Sequence, residues 1–513
     1  MERTRRWRWV LPSLAGLVAT GAALGIAQLI AAIVAPTAGP FVVVGSLLID
    51  ASPAWSKHLA IGLFGKDDKG ALLVGVGVAL AILAALAGVI EVRRPPLGRV
   101  LIGAAAVFGV IAAATRAHPG ALDPVPAVAA GLIGIVLLGV LVRRMPERAA
   151  PDPAPDGGAA PDPSRRLFVG WAVGAAVTGA LATAGGVALE AGSRTVSAVR
   201  MALKLPMPAV AAPAVPAGAD FGIPGLARIV TPSSSFYRID TALAVPQIDP
   251  DSWRLVITGM VERDITLTWK ELLALPLEES YATLACVSNE VGGDLIGNAR
   301  WLGYPIRHLL ERAGPSPRAD MVLSSSQDGF TAGTPIEALT DPQRAAILAV
   351  GMNGEPLPPE HGFPVRMVVP GLYGYVSATK WVVKLEVTRY DKAAAYWTQE
   401  GWSAKGPVKL ESRIDVVRKQ KDGYVVAGVA WHQHVGVRSV EVRIDGGPWQ
   451  TAELSTPISA DTWVQWRLPW HPEHGSHTIA VRARGADGEL QTAARADVVP
   501  DGATGYHTIT VTT

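Results

Sequence analysis

The feature that most constrains this chain is the concentration of long apolar runs in roughly its first 200 residues. A helix needs about 20 apolar residues to cross a bilayer, and five runs reach or approach that length. The predicted spans are Leu11–Val34, Ala71–Ile90, Leu97–Thr115, Val125–Val142 and Leu167–Ala191. The third and fourth are short and rich in Ala and Gly, so buried helices of a soluble domain are the alternative for them. Residues 1–192 are therefore predicted to form an all-α transmembrane bundle, with the lipid bilayer as its partner.

Basic residues cluster in alternate segments between these runs. Loops rich in Lys and Arg stay in the cytoplasm, so the N-terminus is predicted to be cytoplasmic. An odd number of spans then places everything after Ala191 outside. The three basic clusters are Arg3, Arg5, Arg6 and Arg8; Arg93, Arg94 and Arg99; and Arg143, Arg144, Arg148, Arg165 and Arg166.

The predicted spans contain no histidine, since His58 and His118 are assigned to loops. A membrane haem usually needs histidine ligands, so the bundle is interpreted as a plain anchor. The centres of the spans also lack charged side chains. A transporter normally needs polar groups there, which makes transport the least favoured function.

Two linkers are predicted, over residues 145–163 and 193–220. The first is rich in Ala, Pro, Asp and Gly, and is followed by Arg165 and Arg166 at the start of the fifth run. The arginine pair resembles a twin-arginine export signal, which moves folded proteins. The alternative is an ordinary cytoplasmic flank of a membrane helix.

Residues 221–392 mix short strands and helices, which predicts an α+β domain. Thr268 is a plausible N-cap and Gly314 a plausible helix end. The predicted elements are strands at Trp253–Gly259, Val365–Val369 and Trp381–Val387, and helices at Thr268–Leu275 and Arg307–Ala313.

Cys286 is the only cysteine in the sequence, and it follows an apolar run that opens into a polar loop. A soft thiolate suits a soft metal centre, whereas no neighbouring Cys or His supports a zinc site here. Two alternatives remain open from the residues alone: a small buried side chain and a Cys/His hydrolase.

A second candidate segment runs from Glu360 to Trp381 and is rich in Gly, Ser and aromatic residues. Arg366 and Lys380 lie on either side of its loop and would suit a phosphate. The alternative is two solvated cations beside a hairpin. A third segment, Ser233–Asp240, adds an arginine, hydroxyls and aromatic rings.

Taken together, in order and spacing, these segments resemble the sulfite-oxidase family of molybdenum enzymes. The resemblance covers the chain from about Ser233 to its end. It is carried by Phe236-Tyr237-Arg238, Thr283-Leu284-x-Cys286-x-x-Asn289, Asn298-Ala299-Arg300-Trp301-x-Gly303, Met352-Asn353-Gly354-x-x-Leu357-Pro358, His361-Gly362-Phe363-Pro364-Val365-Arg366-x-Val368-Val369-Pro370-Gly371 and Lys380-Trp381.

The resemblance implies a molybdenum ion held by one molybdopterin and by the thiolate of Cys286. It also implies two-electron oxygen-atom transfer, with the metal cycling between Mo(VI) and Mo(IV). The implied catalytic residues are Cys286, Arg238 and Tyr373. The implied cofactor-binding residues are Ser234, Tyr237, Arg238, Asn289, Ser326, His361, Arg366, Ser377, Thr379 and Lys380. The electron partner is expected to be another protein or a quinone, because the sequence has no haem or iron–sulfur motif.

The chain departs from the sulfite-oxidising members of that family. Phe330 aligns with their active-site tyrosine, and Glu290 and Val291 stand where they carry arginines. An anion would lose favourable charge there, which argues against sulfite as the substrate. Tyr373 is a candidate replacement hydroxyl, because its loop resembles that of periplasmic members that reduce methionine sulfoxide.

Residues 393–513 change to short alternating strands, at Tyr424–Val429, Ser439–Ile444 and His477–Arg482. They predict an antiparallel β-sandwich. It resembles the immunoglobulin-like dimerisation domain of the same family, which implies a homodimer.

The sequence favours two other functional classes less. A membrane-tethered binding protein that has lost the cofactor is the alternative to an enzyme, although Cys286, Arg366 and Lys380 are all present. Nucleic-acid binding is not expected, because the net charge is only +2 and the soluble part has no basic block interleaved with aromatics.

The arginine pattern yields a topology prediction. A reporter that is active only outside the cytoplasm should be active when fused after Val230 and silent when fused after Pro151. Equal amounts of both fusions, measured by immunoblot, are the control. The reverse pattern of activity would contradict the orientation.

Overall fold

The computed structural model describes residues 2–64, 68–145, 163–191 and 194–513. The chain divides into two compact units, one of residues 1–195 with 242–247, and one of residues 196–241 with 248–513. Apart from its ends, the predicted linker over residues 145–163 lies outside the described residues.

The first unit is helical. Its helices are α1 Glu2–Val34, α2 Pro40–Ala51, α3 Ala54–Phe64, α4 Asp68–Arg93, α5 Leu97–Ala114, α6 Val125–Arg143 and α7 Pro163–Ala191. Five of them (α1, α4, α5, α6 and α7) are long and apolar enough to cross a membrane, as predicted. The assignment of His58 to a loop was wrong, because that residue lies in α3. Helices α2 and α3 are shorter than the roughly 20 residues of a membrane span, so a prediction from long apolar runs does not include them.

Helix α1 packs against α4, α6 and α7. Its inner stripe is made of alanines four residues apart, including Ala15, Ala19, Ala23, Ala27 and Ala31, all of them buried. Between helices in lipid the hydrophobic effect is weak, so association depends on close backbone approach, and small side chains permit that approach.

From residue 194 onward the chain forms short helices and many short strands. The helices are α8 Arg194–Ala202, α9 Trp269–Leu273, α10 Ile306–Ala313, α11 Ile336–Thr340, α12 Gly374–Ser377 and α13 Tyr396–Gln399. The strands are β1 Arg254–Gly259, β2 Ile265–Thr268, β3 Glu278–Ala285, β4 Ile296–Pro305, β5 Met321–Ser326, β6 Thr331–Pro335, β7 Ile347–Met352, β8 Glu355–Pro356, β9 Arg366–Val368, β10 Val382–Thr388, β11 Glu411–Gln420, β12 Gly423–Trp431, β13 Val437–Ile444, β14 Trp449–Thr451, β15 Glu453–Leu454, β16 Val464–Trp470, β17 Ser476–Gly485 and β18 His507–Thr512. Helix α8 lies within the predicted linker over residues 193–220.

Two sheets with short helices build the middle of the chain. One has the order β2-β1-β10-β5-β6, and the other the order β3-β4-β7-β8 with β9 paired to β7. Thr268 caps α9 through a reciprocal hydrogen-bond pair with Glu271, although the helix ends at Leu273 rather than Leu275. Gly314 ends α10 in the left-handed conformation, as predicted.

The C-terminal strands form two four-stranded antiparallel sheets, ordered β11-β12-β16-β15 and β14-β13-β17-β18. Val426 and Trp466 of the first sheet share one hydrophobic cluster with Val442 and Val481 of the second. This shared core is what a sandwich requires. The immunoglobulin-like class and the homodimer stay predictions.

Candidate functional site

Cys286 is the first residue after β3. The last four residues of that strand, 282–285, are buried. Hydrogen bonds join the start of the loop that follows to the end of that loop. The Cys286 N–H donates to the Leu295 carbonyl at 2.9 Å, and Leu295 N–H donates to Asn289 Oδ1 at 2.8 Å. The half-buried thiol is therefore fixed at the end of a rigid strand.

The surroundings of the thiol oppose its ionisation. Burial raises the pKa of Cys286, and hydrogen bonds from Ser288 only partly offset this. The free thiol therefore keeps its proton at neutral pH, and a bound metal cation would favour the thiolate. Asn289 Nδ2 is buried and has no hydrogen-bond partner among the described residues, so an amide donor beside Cys286 is left for a bound group.

Tyr237 follows the short 3₁₀ turn Ser233–Ser235. Its ring stacks on Phe236 at 5.2 Å, and Phe236 in turn lies edge-on to Trp301 at 5.8 Å. Burial raises the pKa of Tyr237, the Cys286 thiolate raises it further, and Arg366 lowers it. The structure thus brings this predicted residue close to both the thiol and the guanidinium.

Arg366 begins β9 and is 5% exposed. Its guanidinium donates to the carbonyls of His361 at 3.2 Å and Met367 at 3.3 Å, and it lies 5.1 Å from the centre of the Trp301 ring. Burial lowers the pKa of Arg366 to about 10, so the group remains charged at neutral pH. Among the described residues it has no salt bridge to a carboxylate.

Lys380 is also buried, and its one acidic partner in the structure is Asp240. Its Nζ lies 2.6 Å from Asp240 Oδ2 and donates to the Glu360 carbonyl at 3.0 Å. The same Asp240 oxygen accepts from Arg238 Nε at 2.9 Å. Burial lowers the pKa of Lys380 to about 8, although Asp240 counteracts part of that change.

His361 completes this cluster from the turn Pro359–His361. Its Nε2 lies 3.3 Å from the Ser233 carbonyl. Burial, and then Arg366 and Lys380, lower the pKa of His361 to about 4, so it is neutral at pH 7. Gly362 follows with a φ of +109°, and a Cβ there would lie 2.9 Å from that of Arg366 and 3.1 Å from that of Lys380. Glycine is therefore required at position 362, because its backbone conformation and the close approach of both residues leave no room for a side chain.

The cluster carries excess positive charge. Among the described residues, Lys380 lies within electrostatic reach of two further cations, Arg238 and Arg366, and its carboxylate partner is Asp240. Uncompensated buried charge is costly unless an anion binds, and a phosphate accepts hydrogen bonds from both Arg and Lys. The donor set therefore fits the phosphate of a pterin cofactor.

The other predicted site residues differ in their burial and in their hydrogen-bond partners. Ser234 is exposed, whereas Ser326 is buried at the end of β5. The Ser377 hydroxyl donates to the Tyr373 carbonyl at 2.8 Å, and Thr379 Oγ1 lies 2.7 Å from Ser324 Oγ. In this structure the hydroxyls of Ser377 and Thr379 brace the loop that carries Lys380.

Tyr373 is buried, and its hydroxyl accepts a hydrogen bond from the Lys409 N–H at 3.4 Å. Burial and then the Glu411 carboxylate raise the pKa of Tyr373. The Cys286 thiolate adds to this rise, so Tyr373 lies within electrostatic reach of the thiol. The phenol keeps its proton at any ordinary pH.

Sequence reasoning missed Asp240, Trp301 and Glu411 as residues of the site. Asp240 stands two residues after Arg238 in a segment already singled out, and that spacing was a usable signal. Trp301 lay in a motif that carried the resemblance, but no local pattern pointed to its ring beneath Arg366. No sequence pattern identified Glu411, because its burial arises from distant parts of the chain.

Comparison with known proteins identifies a family that includes the segments of Cys286, Arg366 and Lys380. A family described as oxidoreductase molybdopterin binding domain matches residues 242–397. The uncharacterized oxidoreductase YuiH of Bacillus subtilis (strain 168) is 32% identical over 158 residues, which cover 31% of this chain and 76% of that protein.

Two longer relatives match more of the chain. Mitochondrial sulfite oxidase of Rattus norvegicus is 30% identical over 292 residues, covering 47% of this chain and 53% of that protein. Inducible nitrate reductase [NADH] 1 of Glycine max is 33% identical over 324 residues, covering 50% of this chain and 36% of that protein. The chain thus spans about half the length of the sulfite oxidases that it matches.

Glu411 generates a pH prediction. It is 6% exposed, and burial raises the pKa of its carboxyl from 4.5 to about 8. Between these values the unfolded chain loses a proton that the folded protein keeps, so rising pH lowers the free energy of unfolding. Glu411→Gln should therefore be more stable than the wild type at pH 8 and about equally stable at pH 4.5. Thermal melts at the two pH values check this.

Glu453→Gln is the matched control. That carboxylate is exposed and paired with Arg467 at 2.8 Å, so it should show no gain at pH 8. An equal shift of the Glu411→Gln melting temperature at both pH values would contradict the prediction.

Proposed function

Because the chain belongs to the sulfite-oxidase family of molybdopterin-dependent oxidoreductases, we propose that it is a membrane-anchored enzyme acting outside the cytoplasm. It performs two-electron oxygen-atom transfer on a small substrate, for which a neutral S-oxide or N-oxide is favoured over sulfite. The observation that carries the proposal is the buried excess of positive charge at Arg366 and Lys380, with Tyr237 within electrostatic reach of both Arg366 and the thiol of Cys286.

The residues of the site fit a single-pterin molybdenum cofactor. Arg366 and Lys380 would hold the phosphate, the Cys286 thiolate would bind the metal, and the Asn289 amide, which has no hydrogen-bond partner among the described residues, would donate to the bound group. When bound, the molybdenum centre supplies oxygen-atom transfer and accepts or donates two electrons. Neutral His361 adds a hydrogen-bonding ring without further charge.

The tyrosines act as proton-bearing groups. The raised pKa values of Tyr237 and Tyr373 keep both phenols protonated. Each hydroxyl is therefore able to donate a hydrogen bond to a bound group and does not act as a base. Tyr373 takes the role of donor to a substrate oxygen, and Arg238 that of a positioning cation at the exposed side of the site.

The membrane location rests on the first unit. Its five apolar helices support anchoring in a bilayer, and the basic segments between them support a cytoplasmic N-terminus. Electrons pass to or from another protein or a quinone.

The substrate preference rests on charge and on a missing hydroxyl. Glu290 is exposed in the loop four residues after Cys286, where it would repel an approaching anion. Phe330 has no hydroxyl to donate, and its ring lies 6.1 Å from that of Tyr396. Both features favour a neutral substrate.

Changing the charge at Glu290 tests this preference. Sulfite kcat/KM should be low in the wild type, higher in Glu290→Gln and highest in Glu290→Arg. The expected increase from the wild type to Glu290→Arg is about tenfold. Turnover of a neutral sulfoxide should stay nearly constant along the series, which serves as the internal control. Efficient sulfite oxidation by the unchanged enzyme would contradict the proposal.

Cys286→Ser tests the metal ligand. Serine is similar in size but offers a hard oxygen donor with a much higher pKa. The variant should fold, retain much of its pterin through Arg366 and Lys380, show an altered molybdenum absorption spectrum and be nearly inactive.

Ser280→Ala, an equally small change in the strand that ends beside Cys286, is the matched control and should keep the spectrum. Wild-type turnover and spectrum in Cys286→Ser would overturn the ligand assignment. Wild-type protein purified from molybdenum-replete cells without molybdenum or pterin would instead support the cofactor-free binding protein.

A further inference from the structure

A second group of metal-ligand side chains lies in the C-terminal sheets, and the cofactor does not account for it. His432 follows β12 directly, and Asp487 and Glu489 lie just after β17. One ligand atom from each residue lies within 4.8 Å of the other two. Of the residues that the structure describes, this is the one set of three or more such side chains in that arrangement.

Of these three residues, His432 gives the strongest indication of a bound ligand. Its side chain is 9% exposed, and Nδ1 is buried and has no hydrogen-bond partner in the part of the chain that the structure describes. A buried ring nitrogen without a partner is destabilising unless a bound group satisfies it. The Nε2 to Glu489 Oε2 distance of 3.9 Å is too long for a hydrogen bond, so a tight ion pair does not explain the arrangement.

Gly485 keeps the space between these groups open. A Cβ at position 485 would clash with Asp487 Oδ1 and lie 2.8 Å from His432 Nδ1. The carboxylate oxygen and the unpartnered nitrogen therefore border the same small space beside the glycine. Glu489 is 58% exposed at its side chain, so it is able to rotate toward that space from the solvent side.

We propose that His432, Asp487 and Glu489 bind a zinc ion at a site separate from the molybdenum cofactor. Zinc binds imidazole and carboxylate ligands together, with water in an open position. Calcium and magnesium prefer oxygen ligands alone, so the imidazole selects against them. A neutral imidazole and two carboxylates also balance a divalent charge. The ion would tie the end of β12 to the turn after β17.

Zinc binding by the full-length protein tests this directly. The detergent-solubilised holoenzyme, carrying no histidine tag, is stripped with a chelator and dialysed against zinc. Zinc and molybdenum are then measured in the same sample. The wild type should take up one zinc per chain, and zinc should raise its melting temperature. Asp487→Asn and Glu489→Gln should each weaken zinc affinity by at least about tenfold.

The two carboxylate variants are surface changes, so they test the site without disturbing the core. Gly485→Ala should also lose zinc, since it fills the space. His477→Gln is the matched control, because His477 pairs with one carboxylate, Asp445, at 2.7 Å. It should bind zinc as the wild type does. Molybdenum content should be the same in all variants, which separates this site from the proposed function. No zinc uptake by the wild type, or unchanged uptake by Asp487→Asn and Glu489→Gln, would overturn the proposal.

Discussion

The burial of Arg366 and Lys380 beside each other is the constraint on which the rest of the site depends. Two cations in a low-dielectric interior repel each other and lose their hydration. Neighbouring groups reduce this electrostatic cost. Backbone carbonyls accept from the guanidinium, Trp301 presents its ring to it, and Asp240 pairs with the ammonium. These contacts reduce the excess charge without cancelling it, and the remainder favours an anionic ligand.

The same constraint explains the state of the neighbouring groups. His361 is held neutral because burial opposes a charge on its ring, and the two neighbouring cations oppose it further. Tyr237 is within electrostatic reach of a thiol that would be negative when metal-bound and of a positive guanidinium, and its burial keeps it protonated. The site is therefore a set of fixed donors, which suits a cofactor that performs the redox chemistry itself.

The two units of the chain are stabilised by different physics. In the first, buried alanines of α1 let neighbouring helices approach closely, so that packing depends on contacts between small side chains and backbone. In the second, large side chains such as Trp253, Trp301 and Trp466 are fully buried, as is typical of a core that excludes water. Cys286 and Arg366 lie on strands or at strand ends of the second unit, where sheet pairing fixes their positions.

The sequence by itself determined the features that depend on neighbouring residues. Apolar runs defined the five long helices, Thr268 and Gly314 marked helix ends, and motif spacing identified the segments of Cys286, Arg366 and Lys380. Tertiary structure decided the partners. Asp240 pairs with Lys380 across 140 residues of sequence, and the burial of Glu411 and of His432 depends on strands that lie far apart in the chain. Periodicity and helix capping are short-range properties, because they depend on residues that are close together in the sequence. Burial and electrostatic pairing arise only when distant segments exclude water together, and no local pattern records which segments those will be.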